Sequence, residues 1–152
     1  MHEIVIGCDE AAVNLKRIFI KLLQEMNISV EDVGVRNDED KTAYPLVASA
    51  VCKKIIASGY TKRGILICGT GIGMCIAANK FRGIRAAVCH DIYSAQRSIL
   101  SNNGNIACFG ERVIGTELAK AILREWVKLE FKNGPSTPKV EEIVKVEWEN
   151  FK

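Results

Sequence analysis

The sequence predicts a three-layer α/β/α sandwich built on a five-stranded, parallel, Rossmann-like sheet and closed by a C-terminal helix. Two observations carry this. Short runs rich in β-branched residues alternate with helical periodicity along the whole chain, and turn residues cluster where each run gives way to a helix. Ile65 to Lys80, ILICGTGIGMCIAANK, shows the unit most plainly: an apolar strand, a glycine-rich turn opened by a cysteine, and a helix of small residues.

His2 to Gly7 reads as the first strand, and Ala11 to Met26 places Leu15, Ile18, Phe19, Leu22, Leu23 and Met26 on one helical stripe. Ile28 to Val33 is a short second strand. The polar loop Val35 to Thr42 follows, and Pro45 suits the first turn of a helix running to Ser58. Arg63 to Cys68 is the third strand, Gly73 to Lys80 a helix, and Ile84 to Cys89 the fourth strand. Asp91 caps a helix over Ile92 to Leu100, and Ile106 to Phe109 supplies the fifth strand. Thr116 to Glu130 is helical. Pro135 and Pro138 interrupt the pattern before a last helix from Val140 to Phe151.

With 152 residues and 48% apolar content, residues 1–152 form one domain around one core, and 136–152 form a helical extension. The 21 basic and 18 acidic residues are scattered and leave a formal charge of +3. That distribution lacks the basic block of a nucleic-acid reader or a membrane-surface helix, so the expected partner is a small molecule. No apolar run reaches a membrane-spanning length, and Met1 to Gly7 leads into a strand, so the expected location is cytoplasmic. Six cysteines lie in or beside apolar segments of a regular pattern and are expected as reduced thiols.

Ligands of such sheets bind beyond the carboxyl ends of the strands, which is where the reactive residues fall. Gly7, Cys8, Asp9 and Glu10 follow the first strand, Cys68 to Gly73 the third, His90 and Asp91 the fourth, and Gly110, Glu111 and Arg112 the fifth. Gly69, Gly71 and Gly73 permit a sharp turn whose N–H groups converge, which suits a negative oxygen. A thiol at the rim of such a loop is a potential base. Each feature has a plainer reading too. Glycines serve any tight crossover, Asp9 and Asp91 suit helix caps, Cys68 suits a buried small residue, and His90 suits a loop. Arg112 suits an anion contact or a solvated charge, and Tyr44 and Tyr93 either pack or offer a hydroxyl. The turn lacks the ending of a nucleotide P-loop, and no cysteine or histidine pair has zinc-like spacing.

GCDEAAVNLK at 7–16, TAYP at 42–45, ILICGTGIGMCIAANKFRGIRAAVCHD at 65–91, YSAQ at 93–96 and NIACFGERVIG at 105–115 closely resemble the type B ribose-5-phosphate isomerases. That family includes the galactose-6-phosphate isomerase subunits. The resemblance implies an aldose–ketose sugar-phosphate isomerase that works through an enediolate and needs neither metal nor organic cofactor. It further implies that Cys68 moves the proton, that Gly69, Thr70, Gly71 and Gly73 hold the enediolate, and that Thr70 handles sugar oxygens. Asp9 would bind hydroxyls near the reacting carbons, with Tyr44 and Asn102 lining the cleft. Relatives are dimers or dimers of dimers with shared active sites, so the final helix is expected at a homodimer interface.

Departures from the family pattern direct attention to the substrate. Glu10 stands where histidine is usual and brings a charge like that of phosphate. Ser101 stands where ribose-5-phosphate isomerases carry a ring-opening histidine before Asn102. The C-terminal phosphate clamp, Gly-Arg-His-x-x-Arg in the family, reads Gly134 to Lys139 here: one arginine is lost, Lys139 replaces the other, and Arg112 remains. Losing a charge-assisted contact costs roughly 1.5–3 kcal/mol, enough to weaken phosphate binding at least about tenfold. The expected substrate is therefore an altered sugar phosphate such as a tetrose 4-phosphate, whose blocked terminal oxygen prevents ring closure. The alternatives are ribose 5-phosphate itself, with Lys16 or Lys139 replacing the clamp, and a non-catalytic partner subunit of a heteromeric enzyme.

Overall fold

The computed structural model describes residues 1–151. Five strands form one parallel sheet in the order β2-β1-β3-β5-β4: β1 (Ile4–Cys8), β2 (Val30–Asp32), β3 (Arg63–Cys68), β4 (Ala86–Val88) and β5 (Ile106–Gly110). The three middle strands, IVIGC, RGILIC and IACFG, are buried along their whole length, as apolar runs must be when helices cover both faces. The short edge strands β2 and β4 are half-buried.

Six helices are α1 (Val13–Glu25), α2 (Tyr44–Ala57), α3 (Ile72–Ala78), α4 (Ile92–Leu100), α5 (Thr116–Trp126) and α6 (Thr137–Asn150). Helices α2 and α3 pack together on one face, while α5 packs against α1 and α4 on the other. Right-handed crossovers explain the division. The chain moves one way across the sheet through α2 and α3 and the opposite way through α1 and α4, so the two pairs lie on opposite faces. The core joins them: Phe19 of α1 meets Phe109 of β5 edge to face at 4.9 Å, and Trp126, Leu23, Ile67 and Met74 are fully buried.

Several expected boundaries shift for physical reasons. The first strand begins at Ile4 and continues through Cys8, which pairs with Ile67. Asp9 caps a separate 3-10 turn, Glu10–Ala12, so α1 begins at Val13 rather than Ala11. Helix α5 stops at Trp126, short of Glu130. Pro138 lies inside the first turn of α6, where its missing N–H is no loss, so that helix begins before Val140. Helix α6 is fastened to the turn after α3: Glu147 accepts the Gly83 N–H at 2.9 Å, Arg82 donates to the Phe151 carbonyl, and the Arg82 guanidinium lies 4.2 Å from the Trp148 ring centroid. Among the described residues no helix is long and apolar enough to cross a membrane.

Candidate active site

From β1 the chain leaves toward one edge of the sheet and from β3 toward the other, so their carboxyl ends open a crevice between them. A cleft of about 750 Å³ lies there, lined by Asp9, Glu10, Tyr44, Cys68, Gly69, Thr70, Gly73 and Arg112, together with Ala11, Ile72 and Ile76. Gly71 belongs to the same turn. Its φ of +78° is the left-handed conformation that only glycine adopts without strain, and a β-carbon there would stand 2.9 Å from the Phe109 carbonyl carbon.

In the same turn the Gly71 N–H donates to the Cys68 sulfur at 3.1 Å. Cys68 retains 6% exposure at the cleft wall, whereas Cys8 and Cys52 are wholly enclosed. Burial pushes the Cys8 and Cys52 thiols up to about 12 and Cys89 to about 11. Cys75 is the contrast. A hydrogen bond from Cys108 brings it down to about 7 against the opposing effect of burial, but its sulfur lies by the Ala86 carbonyl and Asn79, not in the cleft.

The other walls are fixed as firmly. One Asp9 carboxylate oxygen accepts the Ala11 N–H at 3.0 Å, so capping and cleft lining coexist. Thr70 Oγ1 accepts the Ile72 N–H at 3.2 Å, which leaves its hydroxyl proton free to donate. Tyr44 lies over Gly73 so closely that a β-carbon there would stand 2.5 Å from the ring. Arg112 runs beside Gly69, and its own N–H donates to the Gly69 carbonyl at 3.1 Å. Glu10 is ion-paired with Lys41, which also donates to the Asp38 carbonyl.

Two expected site residues lie elsewhere in the chain. Asn102 lines a separate cavity between β4, α4 and α6, and Lys139 is exposed on the first turn of α6. Lys16 is withdrawn from any phosphate role: it is 2% exposed, bonded to Asp32 at 2.8 Å and to the Val35 carbonyl. The sequence reading omitted Ile72 and Ile76, whose i, i+4 spacing just past the glycine turn places both on one exposed helix face at the cleft. No group of metal-ligating residues occurs among the described residues.

Asp9, Glu10, Arg112, the glycine-rich turn and the Cys68 thiol line one cleft at the carboxyl ends of a parallel sheet, the place where α/β enzymes bind small ligands. A family model described as Ribose/Galactose Isomerase matches residues 4–143, and the chain belongs to that family of sugar-phosphate isomerases. It is 51% identical over 144 residues to D-erythrulose-4-phosphate isomerase 2 of Mycolicibacterium smegmatis, covering 93% of this chain and 94% of that one. It is 50% identical over 143 residues to D-erythrulose-4-phosphate isomerase of Pectobacterium atrosepticum, covering 94% and 93%. The crystal structure of ribose-5-phosphate isomerase B from Mycoplasma genitalium with bound ribulose-5-phosphate superposes with a TM-score of 0.92 at 30% identity, covering 97% of each chain.

Proposed function

We propose that this protein interconverts D-erythrulose 4-phosphate and the corresponding four-carbon aldose phosphate through an enediolate, with Cys68 carrying the proton between the two carbons. The observation that carries the reading is the contact between the Gly71 N–H and the Cys68 sulfur at the wall of the cleft. That bond holds the sulfur at a fixed place beside the loop that receives substrate oxygens, which is the geometry a proton transfer between neighbouring carbons requires.

Acting as thiolate, Cys68 removes a proton from C1 of the ketose. The C–H electrons become the C1–C2 double bond, and the carbonyl π electrons move to the C2 oxygen. With the Gly71 and Ile72 N–H groups held by the Cys68 sulfur and Thr70 Oγ1, those of Gly69, Thr70 and Gly73 receive that oxygen, and the free Thr70 hydroxyl proton serves the transfer between the two oxygens. Return of the proton to C2 and collapse of the enediolate yield the aldose. Asp9 accepts from a sugar hydroxyl through the oxygen not engaged by Ala11, Tyr44 covers the reacting carbons, and Arg112 supplies charge for the phosphate.

Ser101 and the relatives both point to a four-carbon substrate. A tetrose 4-phosphate is open-chain, so serine at the position of the family's ring-opening histidine costs nothing. Both curated relatives at about half identity are D-erythrulose-4-phosphate isomerases. The working form is a homodimer with shared sites, residues 136–151 lying at the interface. The positions of Asn102 and Lys139, away from the cleft of their own chain, support a role in a partner's cleft. Six free cysteines fit a reducing, cytoplasmic setting.

The test is solvent deuterium exchange, read by NMR, with D-erythrulose 4-phosphate and ribulose 5-phosphate as paired substrates. The expected result is exchange beside the carbonyl with kcat/KM favouring the tetrose by about tenfold or more. Equal or reversed preference overturns the substrate assignment, and exchange with neither overturns the isomerase reading.

A further inference from the structure

The structure assigns to His90, on the turn after β4, a positioning role: its imidazole holds the floor on which the substrate-binding loop rests. Strand β4 pairs with β5 through Val88 and Cys108, and the Cys89 N–H extends the ladder to the Cys108 carbonyl at 2.9 Å. One step further the backbone of β4 has turned away. There the Gly110 N–H donates to His90 Nε2 at 2.8 Å, so a side chain completes the ladder where main chain no longer reaches.

Gly110 is the point of closest approach between β5 and the loop. A β-carbon on it would stand 2.5 Å from the Thr70 carbonyl carbon, and one on Gly71 would stand 3.2 Å from the Gly110 nitrogen. The residues after it secure the same loop, with Glu111 N–H donating to the Cys68 carbonyl at 2.9 Å and Arg112 N–H to the Gly69 carbonyl. His90 therefore fixes Gly110 from one side while Thr70 and Gly71 lean on it from the other. Displacing this floor moves the loop amides, and misplacement of about 1 Å costs on the order of a hundredfold in rate.

The bond sets the protonation state. To accept at Nε2 the ring must be neutral with its proton on Nδ1; the imidazolium would oppose N–H to N–H. Burial holds His90 below the ordinary histidine value of about 6.5, against the opposing pull of Asp91. Among the described residues the charge that acts on the ring is that of Asp91; the Glu111 carboxylate accepts the Leu15 N–H at 3.2 Å and the Arg112 guanidinium lies along Gly69. A base whose folded value is depressed contributes stability that is complete above its unfolded value and is lost as pH falls through the folded one. The floor is thus intact at neutral pH and is released only as acidification passes the folded-state value, which burial holds below that of an ordinary histidine.

The inference rests on the reading that the Cys68 to Gly73 loop holds the enediolate, and the test separates the two. His90→Gln places an amide oxygen near the position of Nε2 without a titrating group, whereas His90→Ala removes the acceptor. The expected result is that His90→Ala lowers kcat roughly ten- to hundredfold with KM little changed. His90→Gln restores kcat at neutral pH and flattens the acid limb relative to wild type. Unchanged kcat in His90→Ala, or an acid limb in His90→Gln that superimposes on wild type, overturns the proposal. Nitrogen-15 NMR of the wild-type ring decides independently of turnover. The expected signature is an Nδ1–H tautomer whose titration moves the Gly110 amide in step, and an Nε2–H tautomer at neutral pH overturns the proposal even in a protein that turns over no sugar.

Discussion

The Gly71 N–H points at the sulfur of Cys68 from 3.1 Å, so the backbone proposed to receive the substrate oxygen also touches the proposed proton carrier. Replacing the sulfur tests that unit directly. Cys68→Ser keeps the volume but leaves a hydroxyl that is a far weaker base, and kcat for solvent exchange is expected to fall by roughly a thousandfold with the thermal midpoint nearly unchanged. Exchange within tenfold of wild type would remove the thiol from the mechanism.

The left-handed turn can be perturbed while leaving the thiol itself in place. Gly71→Ala puts a methyl at a φ of +78° and against the Phe109 carbonyl. Urea denaturation should show a loss of about 1–2 kcal/mol, and kcat should fall further than that loss of folded protein explains, because the N–H leaves the sulfur.

Lys16 is predicted to matter for folding and not for phosphate. It is buried at 2% exposure with its ammonium shared between Asp32 and the Val35 carbonyl. Lys16→Met leaves Asp32 without its counter-charge and should cost about 3 kcal/mol by urea titration. The KM of the remaining folded enzyme should match wild type.

A thiolate titration should appear that does not belong to the cleft. Cys75, held down to about 7 by its hydrogen bond from Cys108, ionises as pH rises through neutrality. The rise in thiolate absorbance near 240 nm on going from pH 6 to 8 should shrink in Cys75→Ser, and an identical curve would refute the assignment.

The proposed sharing of sites between subunits makes a prediction about mixtures. If Asn102 serves a partner's cleft, Cys68→Ala and Asn102→Ala chains unfolded together and refolded should regain activity that neither shows alone. Mixtures no more active than their components would place Asn102 outside the reaction.

Local signals carried the fold well. β3 and α4 have the bounds their periodicity predicts, because an enclosed strand and an Asp-capped amphipathic helix each advertise both ends. Pro138 misled because proline reads as an interruption, although it is at home in a first turn. At the site, Cys68, the glycine turn and Asp9 fall on the cleft because strand-end position was enough to place them, whereas Tyr44, at the start of α2, was placed there only by the family resemblance. The pairing of Glu10 with Lys41 across the polar loop was not legible, since long-range ion pairs leave no periodicity. Neither was the burial of Lys16, which reads as one more cation on a helix, nor the bond from Gly110 to His90, which depends on how far β4 runs before it turns.

Gly71 is backed by Phe109 and Gly110, residues made some forty positions later. A nascent chain that has emerged only through α3 therefore owns the thiol and the glycines without the surface that shapes them. Catalytic competence arrives late in synthesis, when β5 slides in beside β3, and a fragment cut ahead of Ile106 should keep helical segments yet turn over nothing.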